Sequence, residues 1–237
     1  MVKRQLGIGA VMLWLIAQGG FAWAETITSS EYFPLEDGSF WTYRVTDAYG
    51  AYTVTQTVLP GTELVNGIGT KVISGNWGDL AYYTSDQDGI RLHGFHFVPD
   101  DYVYMMPPLV QARGTMQIPE TVESTGVAQF VLGSLGVYYL NYTTTFTLQG
   151  KETVTVPAGT FETLRVIYYL RLFGQVLGTP FDETTTGTSW YARYVGNVKE
   201  SYVDEEGTTT HELISTNVTP PVDARPIYLP FLPLLLD

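Results

Sequence analysis

The sequence predicts a mainly β protein: a curved antiparallel meander, half-open or closed into a barrel-like sheet, with little helix after an N-terminal signal. Three observations predict it. Apolar and polar residues alternate with period two over long stretches, turn dipeptides punctuate those stretches, and the rest of the chain sustains no apolar i, i+3, i+4, i+7 pattern.

The N-terminus reads as an export signal. Lys3 and Arg4 precede an apolar run from Leu6 to Ile16, and Ala22-Trp23-Ala24 offers small residues where a signal peptidase cuts. The run is shorter than the roughly 20 residues that a spanning helix needs. Residues 1–24 are therefore expected to be a signal peptide, 25–218 a single antiparallel β domain, and 219–237 a C-terminal tail. Removing 1–24 takes two of 12 basic residues and none of 24 acidic ones, which leaves a formal charge of −14. Such a surface repels phosphate backbones and anionic headgroups, so nucleic acid is excluded as a partner and charge alone does not bring the protein to a membrane. With no cysteine, there is no disulfide, no thiolate metal site and no lipid-modified N-terminal cysteine.

Strands follow along the chain. Tyr52, Val54 and Val58 alternate with Thr53, Thr55 and Thr57. Over 138–148, Tyr138, Leu140, Tyr142, Thr144, Phe146 and Leu148 share one face and Tyr139, Asn141, Thr143, Thr145 and Thr147 the other. Leu164, Val166, Tyr168, Leu170 and Leu172 repeat the pattern against Arg165, Ile167, Tyr169, Arg171 and Phe173. Turns are expected at Pro60-Gly61, Asn66-Gly67, Asp88-Gly89, Gln149-Gly150 and Glu206-Gly207. The best helical candidate, Val127–Tyr138, carries Gly133 and Gly136, which weaken it. Ten to twelve strands result.

Two segments break the pattern. Residues 98–120 hold Pro99, Pro107, Pro108 and Pro119 with Met105, Met106 and Met116, and are expected to form a long excursion packed by its own side chains instead of a central strand. The tail is apolar but interrupted by Pro226, Pro230 and Pro233, too broken to span a bilayer. It reads as an extended segment lying against the body or partly disordered, or as a docking or sorting tail for an envelope partner.

Catalytic tools are scarce. His93 and His96 are three apart in a strand-like run, which sends them to opposite faces and away from one shared metal, and His211 is isolated. Asp86-Gln87-Asp88-Gly89 opens like a calcium loop but lacks the later ligands, so a hairpin turn accounts for it. Ser134 lacks the glycine two positions earlier that a nucleophile elbow requires. Asp182-Glu183 and Asp204-Glu205-Glu206 read as solvated loop charge. No catalytic residue, metal ligand or cofactor follows, and the chain is expected not to be an enzyme.

Three segments carry a resemblance. Tyr32-Phe33-Pro34-Leu35-x-x-Gly38-x-x-Trp41-x-Tyr43 comes first, Glu152-x-Val154-x-Val156-Pro157-Ala158-Gly159-Thr160-Phe161-x-Thr163-Leu164-x-Val166 in the middle, and Trp190-Tyr191-Ala192-x-x-x-Gly196-Asn197-Val198-Lys199 last. Together, across about residues 31–203, they resemble the DUF3108 and TapB-like group of exported bacterial domains, distantly similar to the periplasmic lipoprotein carriers LolA and LolB. The resemblance implies a curved sheet, not an activity. On physical grounds Pro157-Ala158-Gly159 ends a strand, Phe161 and Leu164 anchor the returning one, and Trp41 and Tyr43 cap the sheet.

The expected function is non-enzymatic binding, in the periplasm, envelope or medium, of an apolar ligand such as an acyl chain, a lipid or a lipoprotein-like partner. Its apolar face would be Tyr142, Phe146, Val166, Tyr168 and Leu170. The alternative is a structural or protein-interaction module displayed through the tail. An outer-membrane barrel is a third possibility, set back by the prolines where a final strand would stand.

Overall fold

The computed structural model describes residues 25–97 and 99–221. The signal peptide over 1–24 and the tail from 222 onward lie outside the described residues. Fifteen strands follow in chain order: β1 (Thr26–Thr28), β2 (Phe40–Asp47), β3 (Gly50–Val58), β4 (Glu63–Val65), β5 (Ile68–Ser74), β6 (Leu80–Asp86), β7 (Gly89–Phe97), β8 (Asp101–Arg113), β9 (Thr115–Gln117), β10 (Glu120–Leu132), β11 (Gly136–Val156), β12 (Gly159–Val176), β13 (Thr179–Ala192), β14 (Gly196–Asp204) and β15 (Gly207–Thr216). Helical structure among the described residues is limited to two short 3-10 segments, Ser29–Tyr32 and Gly133–Leu135.

Twelve strands form one antiparallel sheet in the order β3-β2-β15-β14-β13-β12-β11-β10-β8-β7-β6-β5. The sheet closes on itself where β3 meets β5 through Thr57 opposite Ser74 and Val58 opposite Ile73. The meander is therefore a closed barrel, which removes the exposed edges of an open sheet. Two short pairs are added to it. β4 folds back on β5 through Asn66-Gly67, both with positive φ (51° and 81°), the two-residue turn that suits a right-twisted hairpin. β1 pairs with β9 beneath the barrel.

Alternation sets the two faces. On β11, Leu140, Tyr142, Thr144 and Leu148 are buried, while Tyr139 and Asn141 at alternate positions are exposed. An apolar interior under a Thr-rich outer face reverses the apolar-out arrangement of a membrane-spanning barrel.

Three sequence expectations need correction. Residues 98–120 do not form an excursion, because β8 is a 13-residue strand of the barrel wall. Its prolines are tolerated because pairing with β10 stops at Met106, and pairing with β7 jumps from Tyr104 to Leu109. Pro107 and Pro108 thus fall where neither neighbour asks for an N–H. Gln149-Gly150 is not a turn but a bulge within the 21-residue β11, with the register shifting between Leu148 and Gly150. Val127–Tyr138 forms no α-helix, since it completes β10, makes the 3-10 turn and starts β11. The turns at Asp88-Gly89 and Glu206-Gly207 and the hairpin at Pro157-Ala158 stand where expected.

One end of the barrel is filled. Beyond its bulge, the β11–β12 hairpin folds over that end, with the Ala158 N–H bonded to the Leu213 carbonyl at 2.9 Å. Val156 and Phe161 pack with Trp41, Tyr43, Val198 and Leu213. Trp41 donates Nε1–H to the Val195 carbonyl at 2.6 Å and Tyr43 donates its hydroxyl to the Asn197 carbonyl at 2.9 Å, so the capping role read from the first motif is structural. Beside them β1 and β9 bring Ile27 and Met116 against Val122, Leu148 and Leu164. Leu213 has no exposed surface. Leu213→Ala is expected to lower unfolding free energy by about 2–5 kcal/mol, read from the urea midpoint at unchanged slope.

Candidate functional site

Twelve strands enclose more space than the side chains fill. A cavity of about 320 Å³ occupies the other half of the barrel, near the low end of the roughly 300–1,000 Å³ typical of small-molecule sites. A narrower pocket of about 50 Å³ continues below it and shares Gln111, Phe146, Val166 and Tyr191 with it. Ile27, Tyr32 and Met116 close that lower pocket.

The walls come from alternate positions of neighbouring strands. β12 supplies Val166, Tyr168, Leu170 and Leu172, and β11 supplies Thr144 and Phe146. Across the barrel stand Leu92, Phe95 and Phe97 of β7 and Val103, Met105 and Leu109 of β8. Phe97 lies at the mouth and is 42% exposed. Toward the filled end the lining turns polar, with Tyr83, Gln111, Ser189, Tyr191 and Glu200.

Four of the five residues expected to face a ligand line this cavity: Phe146, Val166, Tyr168 and Leu170. The Phe146 and Tyr168 rings stack with centroids 5.9 Å apart. Tyr142 is not among the lining residues, since it is 1% exposed and packs in the cluster of Leu92, Val103, Met105, Leu109 and Ala128. Its ring lies over Gly126, where a Cβ would come within 2.7 Å of its hydroxyl, and that hydroxyl donates to the Pro107 carbonyl at 2.6 Å.

Sequence reasoning missed the polar floor. Its centre is Glu200, whose Oε1 accepts hydrogen bonds from the Tyr168 hydroxyl at 2.8 Å and the Ser189 hydroxyl at 3.2 Å. A signal was present in the register of β14: Glu200 lies two residues from fully buried Val198 and so points inward, but an acidic residue between Lys199 and Ser201 reads as surface. Ser189 and Tyr191 follow from the same alternation on β13.

Burial governs the chemistry of the floor. It pushes the Tyr168 phenol well above its usual range, and the nearby Glu200 carboxylate adds to the effect. Tyr83 is pushed up to about 12 by burial and then by Glu200, and Tyr191 is raised for the same reasons. His211, opposite Glu200 on β15, has its pKa lowered by burial, with Glu200 opposing. The other two histidines lie elsewhere. His93 is buried at the bulge opposite Met105–Pro108, 3.1 Å from the Thr84 hydroxyl, and His96 stacks on Tyr102 at 4.1 Å. Asp86 caps its own hairpin by accepting from the Asp88 and Gly89 N–H groups.

No family model matches the chain, and no curated protein matches it in sequence. Two solved structures are similar in fold. One, from Parabacteroides distasonis and provisionally described as a lipoprotein, is 14% identical, with 79% of this chain and 99% of that chain covered at a TM-score of 0.46. The other, from Bacteroides fragilis and provisionally described as an exported protein with a YmcC-like fold, is 14% identical, with 78% and 98% covered at a TM-score of 0.41.

Two outcomes follow from the floor. Phenols held above the unfolded value of about 10 keep their protons longer in the folded state. Their contribution is therefore fully present below about pH 10 and is lost as pH rises toward about 12. The denaturation midpoint should fall across that window, with part of the ultraviolet phenolate signal appearing only on unfolding. Gly187, opposite Tyr168 on the neighbouring strand, leaves room for the Tyr168 ring, since a Cβ there would lie 2.5 Å from its Cζ. Gly187→Ala should cost about 1–3 kcal/mol by overpacking, and Tyr168→Leu in the same chain should relieve the clash, giving a coupling energy above about 0.5 kcal/mol in a double-mutant cycle.

Proposed function

We propose that this protein is an exported, non-enzymatic binder of an apolar ligand in the bacterial envelope, and that it holds the ligand in the open half of its barrel. The observation that carries the reading is the 320 Å³ cavity, whose upper walls are aliphatic and aromatic from β7, β8, β11 and β12. Water gains few hydrogen bonds along such walls, so displacing it with an apolar chain is favourable by about 25 cal/mol per Å² of apolar surface removed from water. The tripartite N-terminus supports the exported part of the reading.

The mouth suits such a ligand. The hairpins at the open end present Tyr49 between β2 and β3, Trp77 between β5 and β6, Leu135 between β10 and β11 and Leu177 between β12 and β13, all exposed.

The test is uptake of the neutral probe N-phenyl-1-naphthylamine, followed by fluorescence enhancement with the signal-less protein. Saturable binding is expected, weakened at least tenfold in Ala128→Phe, where a ring would project from a fully buried wall position into the cavity. Circular dichroism would check that the variant keeps its sheet. Absence of saturable uptake by the unaltered protein would remove the reading.

A further inference from the structure

The floor of the cavity narrows the ligand class. Glu200 is the one charged side chain among the described residues that line the cavity. Both of its donors, Tyr168 and Ser189, bond the same oxygen, Oε1, and no hydrogen bond from the described residues reaches Oε2. The titratable groups that feel its charge are Tyr168 on β12, Tyr191 on β13, Tyr202 on β14, His211 on β15, Tyr43 on β2 and Tyr83 on β6. None is a lysine or arginine. The ion pairs among the described residues use other carboxylates. His211 is a poor substitute for a cation, because its burial disfavours the protonated ring.

A carboxylate drawn out of bulk water is stable only when its acceptor sites are filled and its charge is met. Here two hydroxyls fill one oxygen, and the second is left to whatever enters the cavity. From this we infer that the cavity takes a cationic amphiphile, an aliphatic or aromatic chain ending in a primary ammonium head that bonds Glu200 Oε2. Its tail would run along Leu170 and Leu172 toward Phe97 at the mouth. Tyr83 and Tyr191 line the same floor. A fatty carboxylate in the same pose would set two like charges together with no cation between them.

This inference rests on the apolar-ligand reading, and the experiment separates the two. Decylammonium, decanol and decanoate compete with N-phenyl-1-naphthylamine at neutral pH and moderate salt, against the unaltered protein, Glu200→Gln and Glu123→Gln. Glu123 is exposed on the outer face of β10 and controls for the general attraction of an acidic protein for cations. Decylammonium is expected to displace the probe at least tenfold more effectively than decanol, and decanoate least effectively. In Glu200→Gln the preference for amine over alcohol should vanish while the neutral probe still binds; in Glu123→Gln it should persist. Equal displacement by amine and alcohol in the unaltered protein overturns the inference, as does a preference that survives Glu200→Gln. Either result leaves the apolar-ligand reading standing. If the neutral probe fails to bind the unaltered protein, both fall together.

Discussion

The closure of the sheet between β3 and β5 constrains everything inside it. That seam is short, with only Thr57 opposite Ser74 and Val58 opposite Ile73, yet it converts a meander into a barrel of twelve strands. A barrel of about eight strands is just filled by its own side chains, and each added strand widens the interior. A twelve-stranded barrel must therefore either import extra mass or keep a void. This chain does both. The bulge at Leu148–Gly150 lets the β11–β12 hairpin fold over one end, and β1, β9 and the first 3-10 turn add a plug beside it. The other half has no such plug among the described residues, and the cavity is what remains.

The same constraint explains the distribution of polar groups. In the filled half, polar side chains are tied to backbone: Trp41 to Val195, Tyr43 to Asn197 and Thr163 to the Glu152 carbonyl. At the boundary between filled and empty halves, side chains satisfy one another through Glu200, Tyr168 and Ser189. Gly187 is part of that arrangement, because only a residue without a Cβ lets the Tyr168 ring lie across β13 toward Glu200. Glu200 Oε1 is satisfied by two hydroxyls while the apolar shaft above it is lined by side chains that make no hydrogen bond to it, so polar and apolar lining meet at this level of the barrel.

Much of the fold was legible because burial on one face imposes period two. The inward rows Leu140 to Leu148 and Leu164 to Leu172 could be read from spacing alone, and four of the five residues picked from them as ligand-facing line the cavity. Legibility failed where a local rule was overridden by a neighbour. Pro107 and Pro108 looked incompatible with a central strand because a sequence does not reveal that β7 and β10 both stop pairing at that point. Gln149-Gly150 carried a turn signal, yet the hydrophobic pattern continues through it on both sides, and the residues that decide between turn and bulge lie on β12. Tyr142 shared a face with Phe146 but not its environment, because Gly126 and the Pro107 carbonyl hold it in the wall. Glu200 was invisible for the opposite reason: charge is a good marker of surface everywhere except inside a barrel wide enough to hold a polar floor.

The two ends of the barrel differ in a way that follows from strand alternation. In an up-and-down barrel every second connection lies at the same end, so side chains placed on alternate hairpins gather on one rim. The hairpins at the filled end carry Gln87-Asp88, Pro157-Ala158 and Arg193-Tyr194, and the Arg193 guanidinium is anchored to Glu31. Those at the open end carry Tyr49, Trp77, Leu135 and Leu177 exposed, beside the acidic Asp204-Glu205-Glu206 turn. Strand alternation thus sets the exposed apolar hairpin tips at the same end of the barrel as the cavity, and the polar floor with Glu200 toward the filled end.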